Sequence, residues 1–437
     1  MDASEKLKNE IFERVKQYYE LVHKERKFVP GETKLNYAGR IFDENEMIAA
    51  TDAVLDFMLT VGKKDLEFGQ EFSKLFNVRS TTLTNSGSSA NLLAVSALKS
   101  PMLKEEDRLR PGDEVITPAT TFPTTLNPII QNNLIPVFLD AEIGTYNMGL
   151  KDLKKALSRK TKAIVIPHTL GNPNDMEVIM EFVEKNDLYL IEDCCDALDS
   201  RYDGKLCGTF GDLATFSFFP AHHITQGEAG AVITNNSLFQ RIVNSLRDWG
   251  RDCWCEPGKS NTCKKRFDWK LGDLPHGYDH KYIFSNIGYN LKPLDIQPAI
   301  GLQQLKKLPK FTEARRKNFK ILYKELSKYD EFIMPRSVKK ADPSWFAFPI
   351  TVNTDKFTRD EITNFLESYM IETRMLFCGN VTKQPAYKDV KYRVVDTLNN
   401  TNRIMYDTFF VGVYPGIDKQ RMDFMLGKFE EFIKKHH

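Results

Sequence analysis

The chain lacks the features that mark nucleic-acid-binding, membrane-spanning and secreted proteins. Its 437 residues carry a formal net charge of only +2, so its charge predicts neither nucleic-acid binding nor attraction to a membrane surface. No apolar run is long enough to cross a bilayer, and the polar start MDASEKLKNE is not a secretory signal. We therefore expect a cytoplasmic protein. Its seven cysteines should then be reduced thiols, metal ligands or catalytic groups rather than disulfides.

Internal repeats and low-complexity linkers are also missing, and the length predicts two or three domains. Residues 1–50 read as an N-terminal helix and arm. In residues 51–300 short apolar segments alternate with helical stretches, which predicts an α/β domain with a mostly parallel sheet and a ligand site at the carboxyl ends of its strands. These segments are EVITPA, PVFLDA, AIVIPHT, LYLIEDCC, ATFSFF and GAVIT. Residues 251–285 lack periodicity. This indicates a long insert in the domain, at about residues 250–285. Residues 301–437 predict a smaller α+β domain.

Four segments carry residues that suit a phosphorylated aromatic cofactor. Gly87 and Ser88 precede an apolar helix, so they either bind a phosphate at its N-terminus or merely cap it. Phe122 follows a strand end and either stacks on a flat heteroaromatic ring or belongs to the core. Asp193 ends a strand and either pairs with a pyridinium nitrogen or caps a helix. Ser217, in the stretch TFSFFPAHHITQGEAG, could add a phosphate contact.

Taken in order, these segments resemble the sugar aminotransferase/dehydratase family of fold-type-I pyridoxal-phosphate enzymes. The resemblance covers about residues 35–430 and rests on GSSA, IEDCCDA, SFFPAHHITQGEAG and GYNLKPLDIQ. It implies a PLP-dependent transferase-like α/β fold and a homodimer with shared sites. It also makes Asp193 the pyridinium partner and Phe122 the stacking residue. Asn290 of one subunit would reach the cofactor phosphate of the other, and Asp196 stands where aminotransferases usually carry His or Gln beside the ring hydroxyl.

The loop lacks the lysine that binds the cofactor as a Schiff base in this family, and His222 occupies its position. The resemblance therefore points to the 3-dehydratases of nucleotide-linked 4-keto-6-deoxy sugars, with pyridoxamine phosphate (PMP) as the working cofactor. It implies that the PMP amine condenses with the sugar C4 ketone, that His222 removes a proton from the cofactor C4′, and that the C3 hydroxyl leaves. Histidine suits this role because its reference pKa of about 6.5 lets it act near neutrality without forming a stable imine. The loop departs from the family pattern at two positions. Ala229 replaces a family glycine, and Phe219 has no hydroxyl that could assist the reaction.

Three cysteines cluster in the insert, namely Cys253, Cys255 and Cys263. Their spacing alone favours a structural zinc site over an iron–sulfur centre, and either needs a fourth ligand. The resemblance supplies one, because Cys195 completes the pattern C-x57-C-x-C-x7-C of family members that carry a [2Fe–2S] cluster. The remaining thiols, Cys194, Cys207 and Cys378, are expected to be ordinary buried side chains.

The resemblance also implies partners. Reduction of the dehydrated sugar needs two electrons, which a flavin-containing, NAD(P)H-dependent iron–sulfur reductase would supply, and CDP is favoured over dTDP or GDP as the nucleotide. A basic group in the insert either faces that reductase or is a solvated loop; it comprises Lys259, Lys264, Lys265 and Arg266. Two alternatives remain: a cluster-free 3-dehydratase that uses glutamate as amino donor, and a non-catalytic zinc-bearing scaffold.

Overall fold

The computed structural model describes residues 2–24, 27–255 and 258–436. The α-helices are α1 (Ala3–Val22), α2 (Glu44–Leu55), α3 (Lys63–Phe76), α4 (Gly87–Ala97), α5 (Pro123–Gln131), α6 (Leu153–Ala156), α7 (Met176–Asn186), α8 (Ser237–Arg247), α9 (Ile296–Leu326), α10 (Arg359–Ser368), α11 (Asn399–Asp407) and α12 (Lys419–His436). The strands are β1 (Ser80–Thr84), β2 (Glu114–Pro118), β3 (Ile135–Leu139), β4 (Thr161–Pro167), β5 (Tyr189–Asp193), β6 (Arg201–Tyr202), β7 (Lys205–Leu206), β8 (Leu213–Ser217), β9 (Gly230–Thr234), β10 (Phe332–Ile333), β11 (Ala341–Asp342), β12 (Ala347–Val352), β13 (Arg374–Met375), β14 (Arg393–Val394) and β15 (Thr408–Gly412).

The central sheet has eight strands in the order β1-β9-β8-β5-β4-β2-β3-β14. Strands from β8 to β14 pair in parallel, and β9 runs antiparallel to both β8 and β1. Apolar clusters on its faces join it to flanking helices such as α4, α7 and α8. The predicted mostly parallel α/β fold is therefore confirmed, and each of the six predicted apolar segments forms a strand.

A second sheet, β10-β12-β15-β13, is antiparallel and lies in the later part of the chain. It packs against α9, α10 and α12 through a core rich in aromatic and aliphatic side chains. The short strand β14 belongs to the later part of the chain, but it pairs in parallel with β3 at the edge of the central sheet. A small third sheet follows the order β11-β6-β7.

The N-terminal region and the insert differ from the regular core. The periodicity predicts a helix over 51–59, but α2 runs over 44–55, because Asp43 and Glu46 form a capping box that starts it earlier. Within the described parts of 251–285 there is no α-helix or strand, only the 3₁₀ turn His280–Tyr282. The insert is anchored at Asp252, which accepts hydrogen bonds from His280 Nε2 at 2.6 Å and Ser285 Oγ at 2.5 Å.

In the described ranges, no helix combines the length and the apolar character that a membrane-spanning segment needs.

Candidate active site

A cavity of about 580 Å³ opens at the carboxyl ends of the central strands. This is the edge at which parallel α/β sheets bind ligands. Its lining includes Gly87, Ser88, Phe122, Asp193, Cys195, Asp196, Ser217 and His222. All eight were predicted site residues, and the fold thus brings together segments up to 135 positions apart in the sequence. The predicted residues Asn290, Cys253, Cys255 and Cys263 are not part of this lining.

Asp193 is buried at the end of β5 and is held from three sides. Its Oδ2 accepts hydrogen bonds from Thr125 Oγ1 at 2.6 Å and Asn91 Nδ2 at 2.9 Å, and its Oδ1 accepts one from the Cys195 backbone N–H at 3.1 Å. These contacts fix the direction of a carboxylate that faces the cavity. Sequence reasoning did not find Asn91 or Thr125, because each looks like an ordinary polar residue of its helix.

Glu192, the neighbour of Asp193, supports the strand end from beneath. Adjacent strand residues point to opposite faces, and Glu192 is fully buried away from solvent. Its Oε1 accepts the backbone N–H groups of Phe210 and Gly211, both at 2.8 Å. Its Oε2 lies 2.8 Å from the N–H of Gly208 and 3.1 Å from His168 Nε2. These bonds satisfy both carboxylate oxygens of Glu192. They hold the end of β5 in place and thereby fix the position of Asp193.

Gly87 and Ser217 form a tight corner where α4 meets β8. A Cβ added to Gly87 would lie 2.5 Å from the Ser217 Cβ, so only glycine fits without movement. The side chain of Ser86 caps α4 by accepting the Ser89 N–H at 3.1 Å, which leaves the first N–H groups of the helix for an external acceptor. The corner therefore has the small residues, hydroxyls and helix N-terminus that suit a phosphate.

His222 lies in the loop between β8 and β9, partly exposed to the cavity. Its Nδ1 is 3.2 Å from Asp196 Oδ1, close enough for an ion pair when the imidazole is protonated. The angle at Nδ1 is not that of a hydrogen bond. Its ring packs against Phe346, with centroids 5.5 Å apart. The sequence did not predict the pairing of His222 with Asp196, because that contact depends on how two distant loops meet.

Arg315 fixes the backbone of this loop from the buried face of α9. Its guanidinium donates to the carbonyl of His222 at 3.3 Å and to the carbonyl of Phe346 at 2.9 Å. Burial lowers the pKa of Arg315 to about 10, so the group still carries its charge at neutral pH. The two hydrogen bonds of the guanidinium connect the His222 loop to Phe346, in the later part of the chain.

His223, the neighbour of His222, does not line the cavity, because the chain bends at this point. Its Nε2 lies 2.7 Å from the Ser344 carbonyl, and burial lowers its pKa well below the usual value, so it stays neutral.

The other wall of the cavity is aromatic and comes largely from the later part of the chain. Phe122 lies at the start of α5, half exposed, with its ring 6.1 Å from that of Phe377. Further lining residues are Tyr37, Phe346, Arg374, Met375, Gln384 and Phe410. Sequence reasoning did not predict this wall, because its aromatic residues resemble ordinary core residues and lie far along the chain from the cofactor-binding segments.

The two departures in the loop have different outcomes. Ala229 is buried and is not among the residues with positive φ, so it needs no glycine-specific backbone. Phe219 lines the cavity, with its ring 6.5 Å from that of His222. It can exclude water from the imidazole but cannot exchange a proton with it.

No three of the four predicted cysteine ligands have sulfur atoms within 4.8 Å of one another in the described part of the chain. Cys195 lines the cavity, whereas Cys253, Cys255 and Cys263 lie in the insert. Among the described residues, the only three metal-type side chains with donor atoms within 4.8 Å of one another are His168, Glu192 and Cys194. That group is fully buried, and its Glu192 oxygens are already hydrogen-bonded.

Within the insert, Cys253 and Cys255 lie close enough for each to shift the pKa of the other. Cys255 Sγ lies 3.0 Å from Thr262 Oγ1. Burial opposes ionisation of Cys255, but hydrogen bonds from Thr262 outweigh it and hold the pKa of this thiol below its usual value. The insert thus contains a thiol that ionises readily, which is a property of metal ligands.

Asn290 is exposed and lies outside the cavity of its own chain. The next residue, Leu291, accepts the Asn85 N–H at 2.9 Å, so this segment runs beside the loop that leads into α4. A role for Asn290 toward a second subunit stays a prediction.

Comparisons with known proteins agree with this geometry. Residues 41–429 match the model of the DegT/DnrJ/EryC1/StrS aminotransferase family. The chain is 50% identical to the dTDP-4-dehydro-2,6-dideoxy-D-glucose 3-dehydratase of Saccharopolyspora spinosa, over 98% of this chain and 92% of that protein. It is 48% identical to the lipopolysaccharide biosynthesis protein RfbH of Salmonella typhimurium, over 98% of each chain.

A solved structure of the Escherichia coli GDP-4-keto-6-deoxy-D-mannose-3-dehydratase with bound hydrated PLP has a similar fold. The two superpose with a TM-score of 0.79 at 29% identity, over 91% of this chain and 100% of that one. Since the family model spans most of the chain and the relatives cover nearly all of it, the protein belongs to the DegT/DnrJ/EryC1/StrS aminotransferase family.

Proposed function

We propose that this protein is a PMP-dependent, [2Fe–2S]-containing 3-dehydrase of nucleotide-linked 4-keto-6-deoxyhexoses. It removes the C3 hydroxyl and acts with a flavin-containing NAD(P)H-dependent reductase to give the 3,6-dideoxy sugar. The observation that carries the proposal is that His222, and no lysine, lines the cavity at the family's cofactor-binding loop, beside Asp196. Two relatives with 3-dehydratase names support the same reaction.

The identity of the nucleotide is the most specific part of this proposal. The insert resembles that of CDP-6-deoxy-L-threo-D-glycero-4-hexulose-3-dehydrase, which favours CDP. The relatives are named for dTDP- and GDP-linked sugars, so CDP depends on the resemblance of the insert alone.

The residues of the cavity fit pyridoxamine phosphate. When bound, this cofactor supplies an amine that joins the sugar C4 ketone and a ring that withdraws electrons from it. Gly87, Ser88 and Ser217 would hold the phosphate at the N-terminus of α4. Asp193 would hold the proton of the ring nitrogen, because Thr125 and Asn91 already orient its carboxylate. Phe122 would cover one face of the ring.

His222 is the residue that moves a proton. Its Nδ1 lies beside Asp196, so that carboxylate favours a proton on Nδ1 and leaves Nε2 as the basic nitrogen. Nε2 would take the proton from the cofactor C4′, and Asp196 would stabilise the resulting imidazolium. Phe219 and Phe346 flank the imidazole and limit the access of water to it.

A [2Fe–2S] cluster would supply single electrons from the reductase for the reduction. Cys195, Cys253, Cys255 and Cys263 offer a ligand set made only of thiols, which suits such a cluster. Three of them lie within the insert, and Cys195 lies two residues after Asp193, which would hold the proton of the ring nitrogen.

One alternative is a cluster-free 3-dehydratase that uses glutamate as amino donor, and it is supported by a similar solved structure of a GDP-4-keto-6-deoxymannose-3-dehydratase with a trapped PLP–glutamate geminal diamine. That enzyme needs the same histidine base but has no use for Cys253, Cys255 and Cys263. The zinc-bearing scaffold is disfavoured, because a chain without catalytic function has no need to keep Asp193, Asp196 and His222 around one cavity.

The base is tested with His222→Asn, which preserves the size of the side chain but cannot accept the proton. We expect the variant to bind PMP and to lose solvent-deuterium exchange at the cofactor C4′ in the presence of substrate. His223→Asn is the matched control, since His223 is buried outside the cavity, and should retain the exchange. Exchange at the wild-type rate in His222→Asn would contradict the proposed role.

A further inference from the structure

Arg374 is the only arginine or lysine among the described residues that line the cavity. It lies on β13, and 46% of its side chain is exposed. The guanidinium lies over the Tyr37 ring, 4.7 Å from its centroid, and donates to the Thr373 carbonyl at 2.7 Å. A stacked guanidinium has a fixed plane, which prepares it for two parallel hydrogen bonds to an oxyanion.

The charge of Arg374 is only partly neutralised by its own surroundings. It pairs with Glu372, and Lys34 Nζ binds the same carboxylate oxygen at 2.8 Å. Two cations thus share one carboxylate, and the group retains a net charge of +1. Burial works against ionisation of Glu372, but the hydrogen bonds from Lys34 and the Tyr37 backbone, together with the charges of Arg374 and Lys34, outweigh it and keep the pKa of this carboxyl below its usual value. The excess positive charge therefore persists at neutral pH.

The carboxylates of the lining would repel an anion, and they belong to Asp193, Asp196 and Glu228. The two histidines of the lining each lie beside a carboxylate, His168 beside the buried Glu192 and His222 beside Asp196. Under the proposed function, the corner at Gly87 is taken by the cofactor phosphate. A second anionic group in this cavity has one favourable place, which is beside Arg374.

A line of aromatic contacts connects the catalytic histidine with this arginine. The His222 and Phe346 rings are 5.5 Å apart, the Phe346 and Tyr37 rings are 6.4 Å apart, and Tyr37 underlies Arg374. Aromatic faces commonly pack against the apolar faces of other rings. A hexose with its C4 near His222 can lie along this wall and extend its anomeric end toward Arg374.

We propose that Arg374 binds the diphosphate of the nucleotide sugar and thereby places the hexose against Phe346 and Tyr37. This inference rests on the proposed function and names the residue that recognises its substrate class. Because a diphosphate is common to every nucleotide sugar, Arg374 would contribute affinity without choosing between CDP, dTDP and GDP.

The experiment measures the binding of CDP, dTDP and GDP by calorimetry to the cofactor-loaded protein and its variants. Arg374→Met should weaken the favoured nucleotide by about 10- to 100-fold, the effect of losing charge-assisted hydrogen bonds. Cytidine, thymidine and guanosine, which have no phosphate, should show no such loss. In turnover, the KM of the 4-keto-6-deoxy sugar nucleotide should rise while exchange at the cofactor C4′ under saturation stays near the wild-type rate.

Lys34→Met is the matched control. It removes one of the two cations on Glu372 and so lowers the local charge, but Lys34 does not line the cavity, so nucleotide affinity should fall by less than about fivefold, as expected for a partly exposed ion pair. Equal losses in both variants would mean that Arg374 acts only through Glu372, which would overturn the proposal. Arg374→Lys, which keeps the charge but loses the planar fork, should bind several-fold more weakly; wild-type affinity in it would also overturn the proposal.

The outcome separates this inference from the proposed function. If the wild-type protein binds none of the nucleotides and exchanges no C4′ proton with any of the sugar nucleotides, the proposed function itself fails. If the wild type binds and exchanges but Arg374→Met binds equally well, only the assignment of Arg374 fails.

Discussion

Gly87 has no side chain because Ser217 occupies the space where one would lie. A Cβ there would come within 2.5 Å of the Ser217 Cβ, so Gly87→Ala must push the start of α4 away from β8. We expect PMP affinity to fall by at least about tenfold, because the N–H groups that face the phosphate move with the helix. Fluorescence titration of the cofactor-free protein with PMP measures this loss.

Two further variants separate this effect from a general effect on helices. Gly427→Ala lies in α12 with open space around it and should stabilise its helix without changing PMP affinity. The double variant Gly87→Ala/Ser217→Gly removes the collision and should recover part of the affinity. Unchanged PMP binding in Gly87→Ala would mean that the phosphate lies elsewhere.

At the scale of elements, α3 begins with a buried carboxylate that the fold does not neutralise. Asp295 accepts the backbone N–H groups of Gly62 and Asp65 and so caps the helix. The Asp65 carboxylate has a buried oxygen without a partner, and burial raises its pKa from 3.8 to about 6, with Asp295 adding to the effect and Arg247 opposing it.

This raised pKa predicts a pH-dependent stability. The folded state binds the Asp65 proton more tightly than the unfolded state, so this carboxyl destabilises the fold increasingly as pH rises from about 4 to 6. Asp65→Asn should therefore be more stable than the wild type at pH 8 by about 3 kcal/mol, a gain that shrinks toward pH 5. Urea unfolding between pH 5 and pH 8 measures it. Asp360→Asn, at an exposed position in the first turn of α10, should show no pH-dependent gain; a constant difference for Asp65→Asn would contradict the assignment.

The insert is the element that distinguishes the proposed cluster enzyme from its alternatives. Cys255→Ser should lower the iron and sulfide content of protein prepared without oxygen, and should abolish reductase-driven formation of the 3-deoxy sugar. Exchange at the cofactor C4′ should survive, because no cysteine takes part in it. Cys207→Ser and Cys378→Ser, outside the insert, should keep the iron. Stoichiometric zinc without sulfide in the wild type would refute the cluster.

Across the whole molecule, the segment around Asn290 carries exposed apolar side chains. Ile287 is 97% exposed and Trp249 is 44% exposed, which fits a surface that a second subunit covers. If Asn290 acts across the subunit boundary, Asn290→Ala should weaken the site of the partner and leave its own site intact.

Mixing two defective homodimers tests this arrangement. His222→Asn and Asn290→Ala proteins, unfolded together and refolded, should form hybrid dimers with one fully wild-type site and one doubly defective site. Turnover should then rise above that of either parent, toward about half the wild-type activity per hybrid dimer, as closed two-fold symmetry requires. No gain on mixing, with hybrid dimers detected by mass spectrometry, would place Asn290 outside the partner's site.

The elements of the central sheet were readable from the sequence where their hydrophobicity was strong. The segments from EVITPA to GAVIT are apolar runs of strand length, and each forms a strand. Strand β1, with the sequence STTLT, was not predicted, because threonine favours strands through its branched Cβ but does not make the segment apolar. The early start of α2 depends on the capping box at Asp43, a local signal that outweighed the hydrophobic pattern.

By itself, the sequence determined the order of the strands and helices, the histidine in place of the lysine, and the spacing of the cysteines, because these depend on neighbouring residues and on periodicity. Only the tertiary structure decided which side chains meet. Asp196 approaches His222, Arg315 holds the loop from behind, and Arg374 joins an aromatic wall. Each of these contacts joins segments far apart in the chain, and their geometry follows from how strands pair and helices pack, which no local pattern encodes.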